Sequence, residues 1–337
     1  MARLDIALNL GTSFTSIFVS GNGIVLHEPS VIAYFDDGGR RRMRAVGSEA
    51  YNMMGRSPEK TKTVCPILDG MIKDADACAD MLSEFIKKIL PESYIIKPKI
   101  RCVLGVPTGI TVDERETYEE VLMRAGVDDI SMVNSILLSA IGVDMPVSSG
   151  YGGLITSIGG GSTEIAVLSL CGIITGCSIN IGGDMIDRAL MDVISGLYRL
   201  NVGRTTVRQV KEKICSLIRN DCAAMSASGI DIETKNICTR SLSSDELYDA
   251  VADYYKDIIA AVEGVINSCS PTIAAEIQKN GIVVVGGGAK IPGLAQLMKK
   301  TLNLKVLIPQ EAPYAATLGG GRLLSDPFLL GDILAHA

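Results

Sequence analysis

Two eleven-residue stretches of this chain superpose without a gap: Asn9 to Val19 (NLGTSFTSIFV) and Ser157 to Val167 (SIGGGSTEIAV). Gly11 meets Gly159, Thr15 meets Thr163, Ile17 meets Ile165 and Val19 meets Val167. Each stretch reads as an apolar strand, a tight glycine turn expected to need positive φ, and a second strand that leaves by alternation. A chain that carries one hairpin plan twice is expected to be two copies of one architecture. The Gly-, Ser- and Pro-rich segment from Ser139 to Leu154 (SAIGVDMPVSSGYGGL) is the expected crossing between them.

Glycine supports the same reading. With 35 glycines in 337 residues, random placement gives roughly a third of one GGG triplet, yet three occur, at Gly159–Gly161, Gly286–Gly288 and Gly319–Gly321. The middle one follows GIVVV, a β-branched run that reads as a buried strand. A glycine turn after a buried strand lets backbone N–H groups approach a ligand closely, and such groups attract phosphate oxygens.

Between the hairpins the periodicity is helical. Asp76 to Leu90 carries Met81, Leu82, Phe85, Ile86 and Ile89 on one face, with Lys87 and Lys88 in the last turn. Asp113 to Ala125 stops at Gly126. Ser243 and Glu246 are spaced as a capping box opening a long helix with Leu247, Val251, Tyr255, Ile258, Ile259, Val262 and Ile266 inside. Strands alternating with helices predict α/β layers in each half.

Composition narrows the function. Net charge is -6 and the Lys and Arg residues are scattered, which argues against a nucleic-acid surface. Nine cysteines form no CxxC pair, so reduced and mostly buried thiols are expected and no zinc site. His27 and His336 stand far along the chain from any Ser or Cys motif, leaving triad hydrolysis without candidates. The start, MARLDIALNLG, enters a strand without a leader pattern, and no apolar run reaches the ~18 residues of a membrane span. A cytoplasmic protein is expected.

Several blocks in order resemble the MreB family of bacterial actin-like proteins, within the fold shared by actin, sugar kinases and chaperone ATPases. They are the first hairpin, GNGIVLHEPSVIAY (Gly21 to Tyr34), VPTGITVDER (Val106 to Arg115), SIGGGSTE (Ser157 to Glu164), SINIGGDMIDRAL (Ser178 to Leu190) and ATLGGGRLL (Ala316 to Leu324). The resemblance covers nearly the whole chain. It implies an actin-like ATPase fold of two duplicated domains, residues 1–145 with 314–337 and residues 146–313, with outer subdomains near 31–66 and 184–242. It further implies ATP and Mg²⁺ in the cleft between them, and head-to-tail filaments under the membrane that organise wall synthesis and cell shape.

By that pattern Gly11, Thr12, Ser13 and Phe14 lie at the outer phosphates, and Gly159, Gly160, Gly161 and Ser162 grip them from the other side. Gly286, Gly287, Gly288, Ala289 and Lys290 lie beside the adenosine, as do Arg208 and Lys211 of the helix expected over Val207–Leu217. Tyr94, Ile95 and Ile96 stand near the family's membrane-inserting loop, between prolines and lysines that suit an anionic lipid surface. Self-association, contact with other MreB-type subunits and with membrane cell-wall machinery are the implied partners.

The departures are chemical. Asn9 and Ser157 stand where each hairpin of the family opens with an aspartate, and Ser135 where a glutamate orients the attacking water. Mg²⁺ is held through carboxylates and substrate phosphates, so its binding is expected to weaken. A serine cannot act as a carboxylate base, so hydrolysis is expected to be slow or absent. Phe14 replaces a smaller residue at the turn and is expected to fill part of the phosphate space. Three readings follow: a filament subunit with reduced ATPase, an active ATPase or small-molecule kinase of the same fold, and a non-polymerising regulator of an active relative.

Overall fold

The computed structural model describes residues 3–56, 60–90, 98–150 and 152–335. Tyr94, Ile95 and Ile96, and His336, lie outside them.

Two five-stranded sheets share one plan. In the first, the strands Arg3–Leu10, Phe14–Val19 and Gly23–Pro29 form an antiparallel meander, and Lys99–Val106 then Asp129–Asn134 add in parallel on the other side of Arg3–Leu10. In the second, Gly153–Ile158, Thr163–Ser169 and Gly172–Ile179 form the meander, and Ile282–Val285 then Val306–Leu307 add in parallel. The duplication read in the two hairpins therefore extends to whole sheets. Ile6, Ala7 and Leu8 are nearly inaccessible, as are Ile282, Val284 and Val285. Helices cover both faces of such a central strand, so its sequence is a continuous apolar run.

Helix Ala75–Ile89 is capped by Asp74, whose carboxylate accepts the Ala77 N–H at 2.9 Å, and it buries Met81, Leu82, Phe85 and Ile86. Helix Val112–Ala125 opens with a complete Thr111–Glu114 capping box and ends at Gly126, φ 94°. Two small sheets lie outside the large ones: Arg40–Val46, Ile32–Asp37 and Thr61–Val64 in the first half, and Leu200–Asn201, Ala224–Asp231 and Ile237–Ser243 in the second.

Five expectations need correction. The crossing segment starts later than Ser139, because Ser135–Gly142 is a helix packed on helix Ala315–Ser325. At that crossing a β-carbon on Gly142 would fall on the Ala315 carbonyl, and one on Gly319 on that of Leu138. The third GGG triplet lets helix Ala315–Ser325 touch the other helix and the first sheet, where a β-carbon on Gly320 would stand 2.7 Å from Ala7 Cβ. The Ser243 capping box does not form. The Ser243 N–H donates to Tyr198 Oη at 3.0 Å and Tyr198 donates to Glu246, so a tyrosine from another helix takes the place of the local pair. The helix expected over Val207–Leu217 spans Arg204–Ile214 and stops before Leu217, whose N–H donates instead to the Pro292 carbonyl at 2.8 Å. The hairpin glycines do not adopt positive φ, for a reason that lies in the cleft. The nine cysteines are unpaired as expected, but Cys177 and Cys222 are exposed and only four are fully buried.

Candidate nucleotide cleft

The two glycine turns face one another and touch. A β-carbon on Gly160 would stand 2.8 Å from Ser13 Cβ and 3.2 Å from Ser13 N; one on Gly161 would stand 2.5 Å from Thr12 Oγ1 and 2.8 Å from Asp69 Cα. One on Gly11 would meet the carbonyl oxygen of Phe14, at 2.8 Å. Close approach, not a left-handed backbone, is what requires glycine at these positions. Of the three phosphate- and adenosine-side glycine groups, only Gly286 has positive φ, 86°. A third turn joins them: the Gly70 N–H donates to Thr12 Oγ1 at 2.9 Å, and Gly70 lies against Ser162.

Side chains bridge the same gap. Ser13 Oγ donates to Asp184 Oδ1 at 3.2 Å, and Arg208 Nη2 donates to Ser13 Oγ at 3.1 Å and to Asp184 Oδ1 at 3.4 Å. The Arg208 guanidinium lies over the rings of Phe14 and Tyr51, 5.6 and 5.3 Å from their centroids. Lys211 Nζ pairs with Asp187 Oδ1 at 2.7 Å and donates to the Gly183 carbonyl at 2.8 Å. Burial raises the Asp187 pKa and the Lys211 charge opposes it. Phe14 stacks on His27, centroids 4.5 Å apart and planes 12° apart, and His27 meets the edge of Tyr314 at 5.0 Å. The cavity left beside Thr12, Ser13, Tyr51, Asp184 and Arg208 measures about 40 Å³. That holds a few waters, against the ~300 Å³ and more of an ordinary ligand pocket.

Two of the three neutral residues come together and the third lies in the other sheet. Asn9 and Ser135 flank Gly105: a β-carbon there would stand 3.0 Å from Ser135 Oγ and 3.5 Å from Asn9 Oδ1. Ser157, one residue before the end of its strand, has Glu164 as cross-strand partner on one side and Val285 on the other. Gly287, Gly288, Ala289 and Lys290 form a short 3₁₀ turn after that strand pair, and Tyr255 Oη donates to the Gly288 carbonyl at 2.7 Å.

Glu164 is the carboxylate that sequence reasoning missed. It is buried and accepts the Thr108 N–H at 2.7 Å, tying the second hairpin to the first half. Burial pushes its pKa up, opposed by the bonds from Thr108. Its cross-strand relation to Ser157 was the signal that could have found it. Asp184 and Asp187 were also missed; three residues apart on helix Gly183–Tyr198, they share one face. His27 needs correction too. Its Nδ1 lies 2.7 Å from Ser16 Oγ, because adjacent strands bring Ser16 and His27 into register. The serine is buried and the ring is stacked on Phe14, so the pair offers no accessible nucleophile.

Mg²⁺ does not fit these residues. Asp184 is bonded to Ser13 and Arg208, Asp187 to Lys211 and Glu164 to Thr108, and Asn9, Ser135 and Ser157 bring no carboxylate. Among the described residues no group of three or more His, Cys, Asp or Glu side chains could hold a metal ion. A larger cavity, about 580 Å³, lies elsewhere, lined by Phe18, Ile141, Met145, Leu318, Arg322 and Leu329, and contains none of the predicted site residues.

Two sheets of one topology, each with a small three-stranded sheet beyond it and a glycine turn facing the other, define the actin-like class of fold. Residues 3–330 match the family model for MreB/Mbl protein. The chain is 33% identical over 327 residues to the cell shape-determining protein MreB of Escherichia coli K12, covering 95% of this chain and 93% of that protein. The crystal structure of MreB5 of Spiroplasma citri bound to ADP superposes with a TM-score of 0.90 at 28% identity, covering 98% of each chain. A MamK double helical filament shares the fold, with a TM-score of 0.80 at 22% identity over 96% of this chain and 99% of that one. This chain belongs to the MreB/Mbl family.

Proposed function

We propose that this protein is a cytoskeletal subunit that assembles with itself into actin-like filaments and helps determine cell shape. Its carrying observation is the family match over residues 3–330 on a duplicated fold with both facing turns intact. Its relatives are cell shape-determining proteins, and an actin-like chain of the same fold forms a double helical filament. The filament unit consists of residues 1–145 with 314–337 and residues 146–313. An adenine nucleotide, as bound by MreB5, enters the cleft between them only when the turns part, with Gly11–Phe14 and Gly159–Ser162 at its phosphates and Gly286–Lys290 at its adenosine. Hydrolysis is impaired: no carboxylate stands at Asn9, Ser135 or Ser157 to retain a metal or orient water.

Among the described residues no helix is long and apolar enough to cross a membrane. The filament works in the cytoplasm and touches the bilayer from one side, through Tyr94, Ile95 and Ile96. So short an apolar segment gains firm attachment from many copies in one polymer. The test is sedimentation of purified protein with and without Mg²⁺ and ATP, with the pellets viewed by electron microscopy. Filaments in both samples support the reading, and a protein that stays monomeric under every condition defeats it.

A further inference from the structure

Arg208 belongs to neither hairpin yet holds both sides of the cleft. Its side chain is only 16% exposed. From helix Arg204–Ile214 it reaches Ser13, Phe14 and Tyr51 of the first half while bonded to Asp184 of the second, and its Nε lies 3.8 Å from Asp187. Arg208 and Lys211 pair with Asp184 and Asp187, and Arg188 and Arg204 line the same cavity.

The first turn is also fixed from behind. Phe14 stacks on His27, and His27 packs against Tyr314, which immediately precedes helix Ala315–Ser325. An arginine over an aromatic face keeps much of its interaction when partly desolvated, which suits a contact meant to persist.

We propose that Arg208 is a built-in tie that holds the cleft shut without nucleotide, joining Ser13 of the first turn to Asp184 of the second half. The tie rests on the cleft described under the proposed function and explains how a subunit lacking the metal-binding acids can still adopt a closed shape.

Amide hydrogen exchange on nucleotide-free protein tests it, followed in peptides covering residues 11–16 and 157–164. In the parent both turns should be protected, and adding ATP with Mg²⁺ should leave them unchanged. Arg208→Ala should raise exchange in both turns at least tenfold, while helix Ser244–Asn267 keeps its protection. Ser13→Ala removes one arm of the tie and should act in the same direction more weakly, so it carries the test if Arg208→Ala loses the protected helix. Unchanged turns in both variants, or parent turns that become protected only with nucleotide, would overturn the tie. Sedimentation of the parent reports separately on the filament reading, so the two can fail independently.

Discussion

Phe14 is the most informative single position, because its ring holds the first glycine turn in place. The structure gives it two specific contacts, the stack on His27 at 4.5 Å and the Arg208 guanidinium at 5.6 Å. An offset aromatic pair contributes about 0.5–1.5 kcal/mol beyond its buried area, and a partly exposed cation–π contact about 0.5–1 kcal/mol. Phe14→Ala should therefore cost about 2 kcal/mol, short of the ~3–5 kcal/mol of a fully buried phenylalanine, since this ring is half-buried. Urea unfolding followed by far-UV circular dichroism measures it as a lower midpoint at unchanged slope. A double-mutant cycle with His27→Ala should return a coupling of about 1 kcal/mol. A coupling within the ~0.5 kcal/mol scatter of independent sites would refute the stack as a support of the turn.

Three further outcomes follow from the geometry. Gly319→Ala sets a β-carbon against the Leu138 backbone carbonyl, which cannot move aside, so a loss of about 3 kcal/mol or loss of soluble protein is expected in the same unfolding assay. Glu164 has its folded pKa raised above 4.5 by burial, so the native state binds the proton more tightly than the unfolded chain; stability from this group is present at low pH and falls as pH rises through the folded value. Glu164→Gln keeps an acceptor for Thr108, so thermal melts of parent and variant should coincide near pH 4 and diverge in favour of the variant toward pH 8; a parallel pair of curves would refute the buried charge. The triple change Asn9→Asp, Ser135→Glu, Ser157→Asp should raise phosphate release above the parent, and no increase with nucleotide bound would move the fault to Phe14 and Arg208.

Much of the fold was legible because it is periodic or repeated. The glycine hairpins announced two equivalent sheets, and the apolar face of the helix carrying Met81, Leu82, Phe85 and Ile86 lies inside as its spacing required. Local rules failed where a distant residue won. Tyr198 took the place of the Ser243 capping box, and Pro292 drew Leu217 out of its expected helix. The role of the third GGG triplet stayed open in the sequence, because composition cannot distinguish a bend from a close helix contact. In the cleft the neutral side chains expected at Asn9, Ser135 and Ser157 were legible from the sequence, but the tie was not. Arg208 is 195 residues from Ser13 and Tyr314 is far from His27, so no spacing rule joins them.

The account's central claim, assembly without hydrolysis, can be put to one measurement: released phosphate per subunit polymerised, read in a single time course with Mg²⁺ and ATP. Polymer that forms while phosphate remains far below one per subunit is the outcome expected here. Phosphate rising in step with polymer, one for each subunit added, would contradict it.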